Sequence, residues 1–463
     1  MTALIWFRDD LRLNDNAALT AAAAEPGGIV ALYVLDEDSR ETRPLGGAAH
    51  WWLHESLARL RADLAARCIP LVLRRGASER IVAEVAEDSG ATHVFWNRRY
   101  GSERHLDARL KAAMRERGID ARSFHGGLLF EPWTVATATG TPYRVHTPFW
   151  RACLALPTPA APLPAPEALL PAASQPTSED LDAWHLRPSR PDWAGGLAAR
   201  WEPGEAAALE RLERFLEERA PEYRERRDFP AVDAGSELSP HLRWGEISPR
   251  TVWHRAVAAA EETGVDVGTF LSEVGWREFA WHTLFHNTGV DGDGAAEPGL
   301  HVRGINPQFD GFPWRRPKPH ELAAWQRGET GFGVVDAGMR ELWQSGFMHN
   351  RVRMVTASFL TKNLLVDWRV GEAWFWDTLV DADAASNPFN WQWVAGCGAD
   401  AAPYFRVFNP ETQQQKFDPE GRYVDRWAPD SAMLPQLVDL RETRVRALAA
   451  YESIKLAPRE RAK

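Results

Sequence analysis

The chain has 463 residues, 44% hydrophobic and 25% charged, the balance of a globular protein large enough for two or three cores. Lys and Arg total 54 against 64 Asp and Glu, a net charge of −10 that argues against indiscriminate coating of nucleic acid but leaves room for one local basic groove. No apolar run approaches the roughly 18 to 20 residues of a membrane span, and Cys68, Cys153 and Cys397 offer neither a disulfide framework nor a Cys₄ metal set, so a cytoplasmic protein without membrane association is expected.

Short apolar, β-branched runs at 3–7 (ALIWF), 28–36 (GIVALYVLD), 69–75 (IPLVLRR) and 92–97 (THVFWN) alternate with helical stretches near 17–25, 50–67, 77–88 and 102–117. Strand and helix in alternation predict an α/β domain with a parallel doubly wound sheet over residues 1–130. No GxGxxG follows the first strand and no GxxxxGK[ST] occurs, so this sheet need not hold the main nucleotide. A connector is expected over 131–203, because seven prolines fall between Pro157 and Pro176 and cannot sustain helix or strand interiors. Residues 204–463 read as an all-α domain, rich in Trp and Phe, with breaks at Pro230, Pro240, Gly292–Pro298, Pro307–Pro319 and Pro388.

Four stretches of the helical part carry candidate chemistry. In Gly235-Ser-Glu-Leu-Ser-Pro240 a helix start is expected, with Ser239 as the cap and Pro240 in the first turn; backbone N–H groups there favour a phosphate, although a plain cap is the simplest reading. In SEVGWREFAWHTLFHN, Glu273, Trp276 and Ala280 share one helical face, which suits either a site or a surface ion pair beside core packing. In MHNRVRMVTASFL, Asn350 and Met354 stack at i and i+4, a face for a flat, polar-edged ligand. Asp381 and Asp383 fall two apart in a loop, where a calcium loop is disfavoured by Ala385 and Ser386; no metal is expected.

Tryptophan is the compositional outlier, 22 against 7 Tyr, with 13 of the 22 after residue 243. The residue packs cores, but it also stacks on bases and passes electrons. Around residues 314–353, Arg315, Arg316, Lys318, Arg327, Arg340, Arg351 and Arg353 outnumber Glu321, Glu329, Asp336 and Glu341, a phosphate-tracking patch or a solvated surface.

WREF from Trp276, MHNRVRM from Met348, TASFLTKNLLVDWR from Thr356 and NWQWVAGCGADAAPYFRVFNP from Asn390 resemble the DNA photolyase and cryptochrome family, in particular microbial cyclobutane pyrimidine dimer photolyases. WFRDDLRLNDN near the start, EYRERRDFPA from Glu222 and RETRVRALAAYE near the end extend the resemblance over nearly the whole chain. It implies an antenna-binding α/β domain, a connector and a helical domain that holds FAD and DNA. The implied reaction is light-driven repair of pyrimidine dimers in DNA, with an electron passing from excited reduced FAD to the dimer and back.

The same resemblance implies roles residue by residue. Tyr223 and the segment Gly235, Ser236, Glu237, Leu238 and Ser239 would cradle the FAD diphosphate, with Phe270 and Arg277 also at the cofactor. Arg353 would pair with Asp381 beside the isoalloxazine, Asp383 would line the pocket, and Asn387 would face flavin N5. Gly235 stands where the family usually has Thr, and Glu237 where it usually has Arg. Glu273, Trp276, Asn350, Arg351, Met354 and Trp393 would line the lesion pocket, the two indoles sandwiching an extruded dimer and a neutral, buried Glu273 donating to a thymine carbonyl; Glu273 and Asn350, with Asn387, would be catalytic. Trp391, Trp368 and Trp314 resemble the chain of tryptophans that relays electrons to the flavin, with Trp314 one residue out of the usual spacing.

A (6-4) photolyase is the nearest alternative, but that group carries histidines where Asn350 and Met354 stand. A cryptochrome receptor without repair activity is the other. A second, antenna chromophore is implied, 5,10-methenyltetrahydrofolate in preference to 8-hydroxy-5-deazaflavin, although Gly101 stands where an acid is common. Trp51 and Trp52 would touch that pigment or pack the core. The protein is expected to be a monomer.

Overall fold

The computed structural model describes residues 1–290, 296–297, 299–401 and 405–455. The chain divides into two compact units, Met1–Pro221 with Gly235–Gly299, and Glu222–Ala234 with Leu300–Lys463.

The first unit is built on five parallel strands, β1 (Thr2–Phe7), β2 (Ile29–Leu35), β3 (Leu71–Arg75), β4 (Ala91–Asn97) and β5 (Asp120–Phe124), in the order β3-β2-β1-β4-β5. Their crossovers carry α1 (Ala17–Ala23), α2 (Gly47–Ala65), α3 (Ser78–Asp88) and α4 (Glu103–Glu116). This is the doubly wound sheet that the alternation predicts. β2 is buried along its whole length, as a strand covered on both faces must be. β3 starts two residues later than expected, after Pro70, which has no N–H to give to a ladder. β5 was not expected from the sequence: DARSF carries charges at Asp120 and Arg122, which an edge strand tolerates and which hide it from an apolar-run criterion.

At the carboxyl ends of β1 and β4 the residues of WFRDDLRLNDN are bonded rather than solvated. Arg8 Nη1 donates to Asp107 at 2.6 Å; Asn97 Nδ2 donates to Asp10 Oδ2 at 2.7 Å and to Asn16 Oδ1 at 2.9 Å. Asn16 caps α1 by accepting from Leu19 N. The proline-rich connector runs along the sheet: Ile29 N donates to Leu170 O, Ala172 N to Ile29 O, and Glu179 N to Leu73 O. Trp51 and Trp52 are 4% and 0% exposed and pack the core, with the Trp52 indole N–H donating to Glu246.

After α5 (His146–Leu154) this unit gains α6 (Gly195–Arg200), α7 (Glu205–Arg214), α9 (Ser239–Trp244), α10 (Pro249–Thr263) and α11 (Gly268–Asn287), while α8 (Tyr223–Arg226) lies in the second unit. The second unit continues with α12 (Pro319–Arg327), α13 (Gly333–Ser345), α14 (Asn350–Ser358), α15 (Trp368–Thr378), α16 (Ser386–Ala395), α17 (Pro410–Phe417), α18 (Arg422–Trp427) and α19 (Leu440–Lys455). Its core gathers Trp325, Phe359, Phe375, Trp368, Trp391 and Tyr423. Pro240 takes the first-turn place in α9 that the helix start predicts, and Pro388, expected as a break, sits in the first turn of α16 instead, where a missing N–H costs nothing. Most of the expected break at Gly292–Pro298 lies outside the described residues. Among the described residues no helix is long and apolar enough to cross a membrane.

Asp15 is 0% exposed and takes both Nε and Nη2 of Arg250, at 3.0 and 2.6 Å, as well as Leu163 N at 3.0 Å. Removing one member of such a pair strands the other charge in the interior. Asp15→Ala is therefore expected to lower the unfolding free energy by about 3–5 kcal/mol, read as a reduced urea midpoint.

Candidate functional site

The candidate residues are divided between the two units. In the first, Glu237 adopts a left-handed conformation (φ +52°) and Leu238 a right-handed one (φ −83°, ψ −7°). This left-then-right step turns successive backbone N–H groups to one side and makes an anion-binding concavity. The expected Ser239 cap is displaced by one residue: Leu238 occupies the cap position, and Ser239 is the first residue of α9. The Glu237 carboxylate meets Arg200 at 2.8 Å and Arg211 at 2.5 Å, and Arg219 donates to Gly235 O at 3.0 Å. Burial alone would raise the Glu237 pKa; the arginines outweigh it and hold the carboxyl below its ordinary value. The arginine missing at 237 is thus matched by three from α6, α7 and the turn that follows α7.

Along α11, Phe270 is buried against Phe215, with ring centroids 4.6 Å apart. Glu273 and Trp276 share a partly exposed face, as the spacing predicts. Glu273 is thus partly buried, where the resemblance implies a buried residue. The wholly buried acid of this helix is Glu278, which sequence reasoning missed; desolvation pushes it up to about 7, although its Oε2 accepts from Leu129 N and Phe130 N. Arg277 donates to Gly127 O at 3.0 Å and Leu242 O at 3.4 Å, so it ties loops around α11.

In the second unit, His349 caps α14: its Nδ1 accepts from Arg351 N, and its Nε2 donates to Arg227 O at 2.9 Å. Asn350 is exposed on the first turn, while Met354 is partly buried, with its sulfur 3.9 Å from Arg351 Nη1. Arg351 itself pairs with Asp228 at 2.7 Å and lies over the Phe417 ring. Arg353 makes a two-pronged pair with Asp381, 3.1 and 2.8 Å, and its Nε donates to Met348 O. Asp383 uses its oxygens on Ala385 N, Ser386 N and Ser386 Oγ and so shapes the turn into α16. Tyr223, on α8, is partly buried beside Arg227.

Asn387 is 8% exposed, and its amide nitrogen donates to Glu372 O at 3.1 Å and Glu372 Oε1 at 2.8 Å. Two oxygen acceptors fix which end of the amide carries the N–H groups, so Oδ1 is turned away from Glu372. Glu372 was not anticipated; it lies fifteen residues earlier, on α15, and no local pattern links the two.

Trp391 and Trp368 are 2% and 1% exposed, and Trp314 is partly exposed. A bridge between Arg315 and Val366 places Trp314 beside the strand-like residues that lead into Trp368. A Cβ on Gly371 would collide with the Trp391 ring, so glycine permits the packing of α15 on α16 there. Trp393 is partly exposed, with its N–H on Asp400 O at 2.9 Å and Arg406 over its ring. The basic patch is smaller than the composition suggests: Arg315 and Lys318 pair with Glu321, Arg327 with Glu329, Arg340 with Asp430, Arg351 with Asp228 and Arg353 with Asp381. Arg316 is exposed and makes no ion pair among the described residues.

Two family models match the chain, "DNA photolyase" over residues 3–167 and "FAD binding domain of DNA photolyase" over residues 270–453. A protein from Agrobacterium fabrum named deoxyribodipyrimidine photo-lyase is 45% identical over 98% of both chains. One of the same name from Escherichia coli is 35% identical, again over 98% of both. Among solved structures, a bacterial class III photolyase from Agrobacterium tumefaciens superposes with a TM-score of 0.91 at 45% identity, over 98% of this chain and 97% of that one.

Burial first, and then the neighbouring arginines, push His349 down to about 4 from an ordinary 6.5. The unfolded chain therefore binds this proton first as pH falls, and the stability that neutral His349 supports, whole above about pH 6.5, drains away toward pH 4. In His349→Asn, which caps without titrating, the loss of urea midpoint between pH 7 and pH 4 should be smaller than in the parent protein.

Proposed function

The chain belongs to the DNA photolyase family, and we propose that it is a class III type enzyme that repairs cyclobutane pyrimidine dimers in DNA under light. The observation that carries this reading is the end-to-end 45% identity with a deoxyribodipyrimidine photo-lyase, matched by a TM-score of 0.91 to a class III photolyase. Reduced FAD, when bound, supplies the photoexcited electron that opens the cyclobutane ring and takes it back.

The residues present fit that cofactor. The concavity at Glu237–Leu238 suits a diphosphate through backbone N–H groups and needs neither the usual Thr nor the usual Arg side chain; Ser236 precedes it in the chain, and Tyr223 is assigned to the same diphosphate by resemblance. The Arg353–Asp381 pair offers a planar, oriented polar edge to the isoalloxazine, and the Oδ1 of Asn387 is an acceptor for a protonated N5. By resemblance we assign Glu273 and Asn350 to hydrogen bonds with the pyrimidine, Trp276 and Trp393 to stacking on it, and Arg351 and Met354 to lesion binding. Methionine at 354 and asparagine at 350 favour dimer repair over (6-4) chemistry, which needs an acid or base there.

We assign residues 1–130 to an antenna-binding domain, 131–203 to the connector and 204–463 to FAD and DNA. For the antenna we favour 5,10-methenyltetrahydrofolate; although Gly101 stands where an acid is common, the Glu103 carboxylate lies close by, next to where a Cβ on Gly101 would be. A cytoplasmic monomer completes the reading.

The direct test illuminates chemically reduced, FAD-loaded protein with dimer-containing DNA and follows the return of thymine absorbance. Repair is expected, and its absence with intact FAD would leave a receptor role. Trp391→Phe keeps the ring shape without an accessible one-electron oxidation, so it should abolish photoreduction of the oxidised cofactor and spare repair by pre-reduced protein. Loss of both activities, or of neither, would remove Trp391 from the path, and Trp314→Phe answers the same question for the outer position.

Asn387→Asp would set a carboxyl 2.8 Å from Glu372 Oε1, a pair that must share a proton. The variant should keep FAD but reoxidise faster in air than the parent, and an unchanged rate would argue against Asn387 at N5. For DNA, Arg316→Ala should reduce the slope of log affinity against log salt by about 1 on damaged and undamaged duplexes alike; Arg315→Ala, already paired with Glu321, should change it less.

A further inference from the structure

The imidazole of His146 lies flat against Trp276, with ring centroids 3.8 Å apart and planes within 6°. His146 opens α5 and is 5% exposed, whereas Trp276 remains partly exposed on α11. Phe279 closes the edge of both rings, at 6.0 Å from His146 and 6.1 Å from Trp276, with planes near 70° in each case. The contact belongs to a ladder in which α5 presents His146, Phe149 and Trp150 to α11. Phe149 lies 5.1 Å from Phe279 and 4.8 Å from His282. A Cβ on Gly275 would stand 2.6 Å from the Trp150 ring, so only glycine lets the two helices approach closely enough to seat the stack.

We propose that His146 is a positioning residue for lesion recognition: a fixed plate that covers one face of Trp276, holds the plane of the indole, and presents the opposite face to the extruded pyrimidine. Two features suit it to that task. Stacked parallel to the indole, it blocks rotation about the tryptophan side-chain torsions that a smaller neighbour would allow. Burial pushes it down to about 4, so it stays a neutral aromatic surface at physiological pH and does not bring a charge beneath the base. Preordering the indole removes an entropic cost that binding would otherwise carry. The inference rests on the reading of Trp276 as the ring that stacks on damaged DNA, and its test separates the two.

FAD-loaded protein is titrated into a duplex that carries one thymine dimer and into the same duplex without it, and the ratio of the two affinities is read by fluorescence anisotropy. Trp276→Ala should weaken dimer binding by about 5- to 150-fold and leave the undamaged duplex unchanged. His146→Ala should weaken dimer binding by about 2- to 10-fold, His146→Phe should stay near the parent ratio, and the double variant should be no weaker than Trp276→Ala alone. If His146→Ala loses its FAD, His146→Leu, which fills the space without a flat ring, takes its place and should show the same loss of ratio. A parent ratio in Trp276→Ala sinks the lesion reading and this inference with it. A reduced ratio in Trp276→Ala beside a parent ratio in His146→Ala or His146→Leu sinks the inference alone, as does a His146→Phe variant as weak as His146→Ala.

Discussion

The first unit depends on one close approach, where the chain at Gly245 passes over the backbone of Asp9 and Asp10. Gly245 has φ +62°, and a Cβ there would overlap the Asp9 carbonyl, so both conformation and space demand glycine. Leu11 N donates to Trp244 O, and the buried Arg12 donates to the carbonyls of Asp15, Gly126 and Gly245. A buried guanidinium costs several kcal/mol unless its N–H groups are met, which is why three separate segments are drawn onto it. α9 ends at this junction, so the backbone step at Glu237–Leu238 is held a fixed distance from the carboxyl end of β1. The charged motif near the N-terminus is scaffold that holds that step still.

The second unit solves a similar problem with carboxylates. Asp381 and Asp383 are neighbours in sequence and nearly equal in burial, yet one grips a guanidinium and the other ties backbone N–H groups at the start of α16. The turn set by Asp383 determines where Asn387 emerges, and Glu372 then determines which end of that amide faces outward. Under the proposed placement of Asn387 at the flavin, rigid placement of a weak acceptor is chiefly an electrostatic device, because a preorganised dipole needs no reorganisation when charge changes.

Much of this was legible in the sequence, for physical reasons that differ by element. The central strands announced themselves because both faces are buried and their residues are continuously apolar, whereas β5 alternates charge with small residues at a solvated edge and gave no such signal. The faces of α11 and α14 followed from i, i+3 and i+4 spacing. Contacts set by tertiary packing were invisible: Glu372 to Asn387, Arg200 and Arg211 to Glu237, and His146 to Trp276 all join residues far apart in sequence. The basic patch was overcounted because composition registers charges but not partners: Arg340, Arg351 and Arg353 meet acids from outside the tallied four, and Arg315, Lys318 and Arg327 meet Glu321 or Glu329.

The tryptophan excess resolves by the same distinction. Trp6, Trp52, Trp96, Trp244 and Trp325 are wholly buried, and their number is explained by cores that need large, rigid side chains. Trp276 and Trp393 keep part of their surface in solvent while one face or edge is fixed by His146 or by a hydrogen bond to Asp400, the arrangement expected of a ring that must be ready for a partner. Trp368 and Trp391 fit neither description: they are as buried as the packing tryptophans, yet they belong to the segments that lead from Trp314 toward Asn387. Burial cannot separate a core residue from an electron carrier, because an electron needs proximity between rings and no solvent path. A base-stacking ring must reach solvent and a carrier need not, so exposure discriminates for the proposed lesion pocket and is silent for the proposed relay, where only a substitution that preserves shape and removes redox chemistry can discriminate.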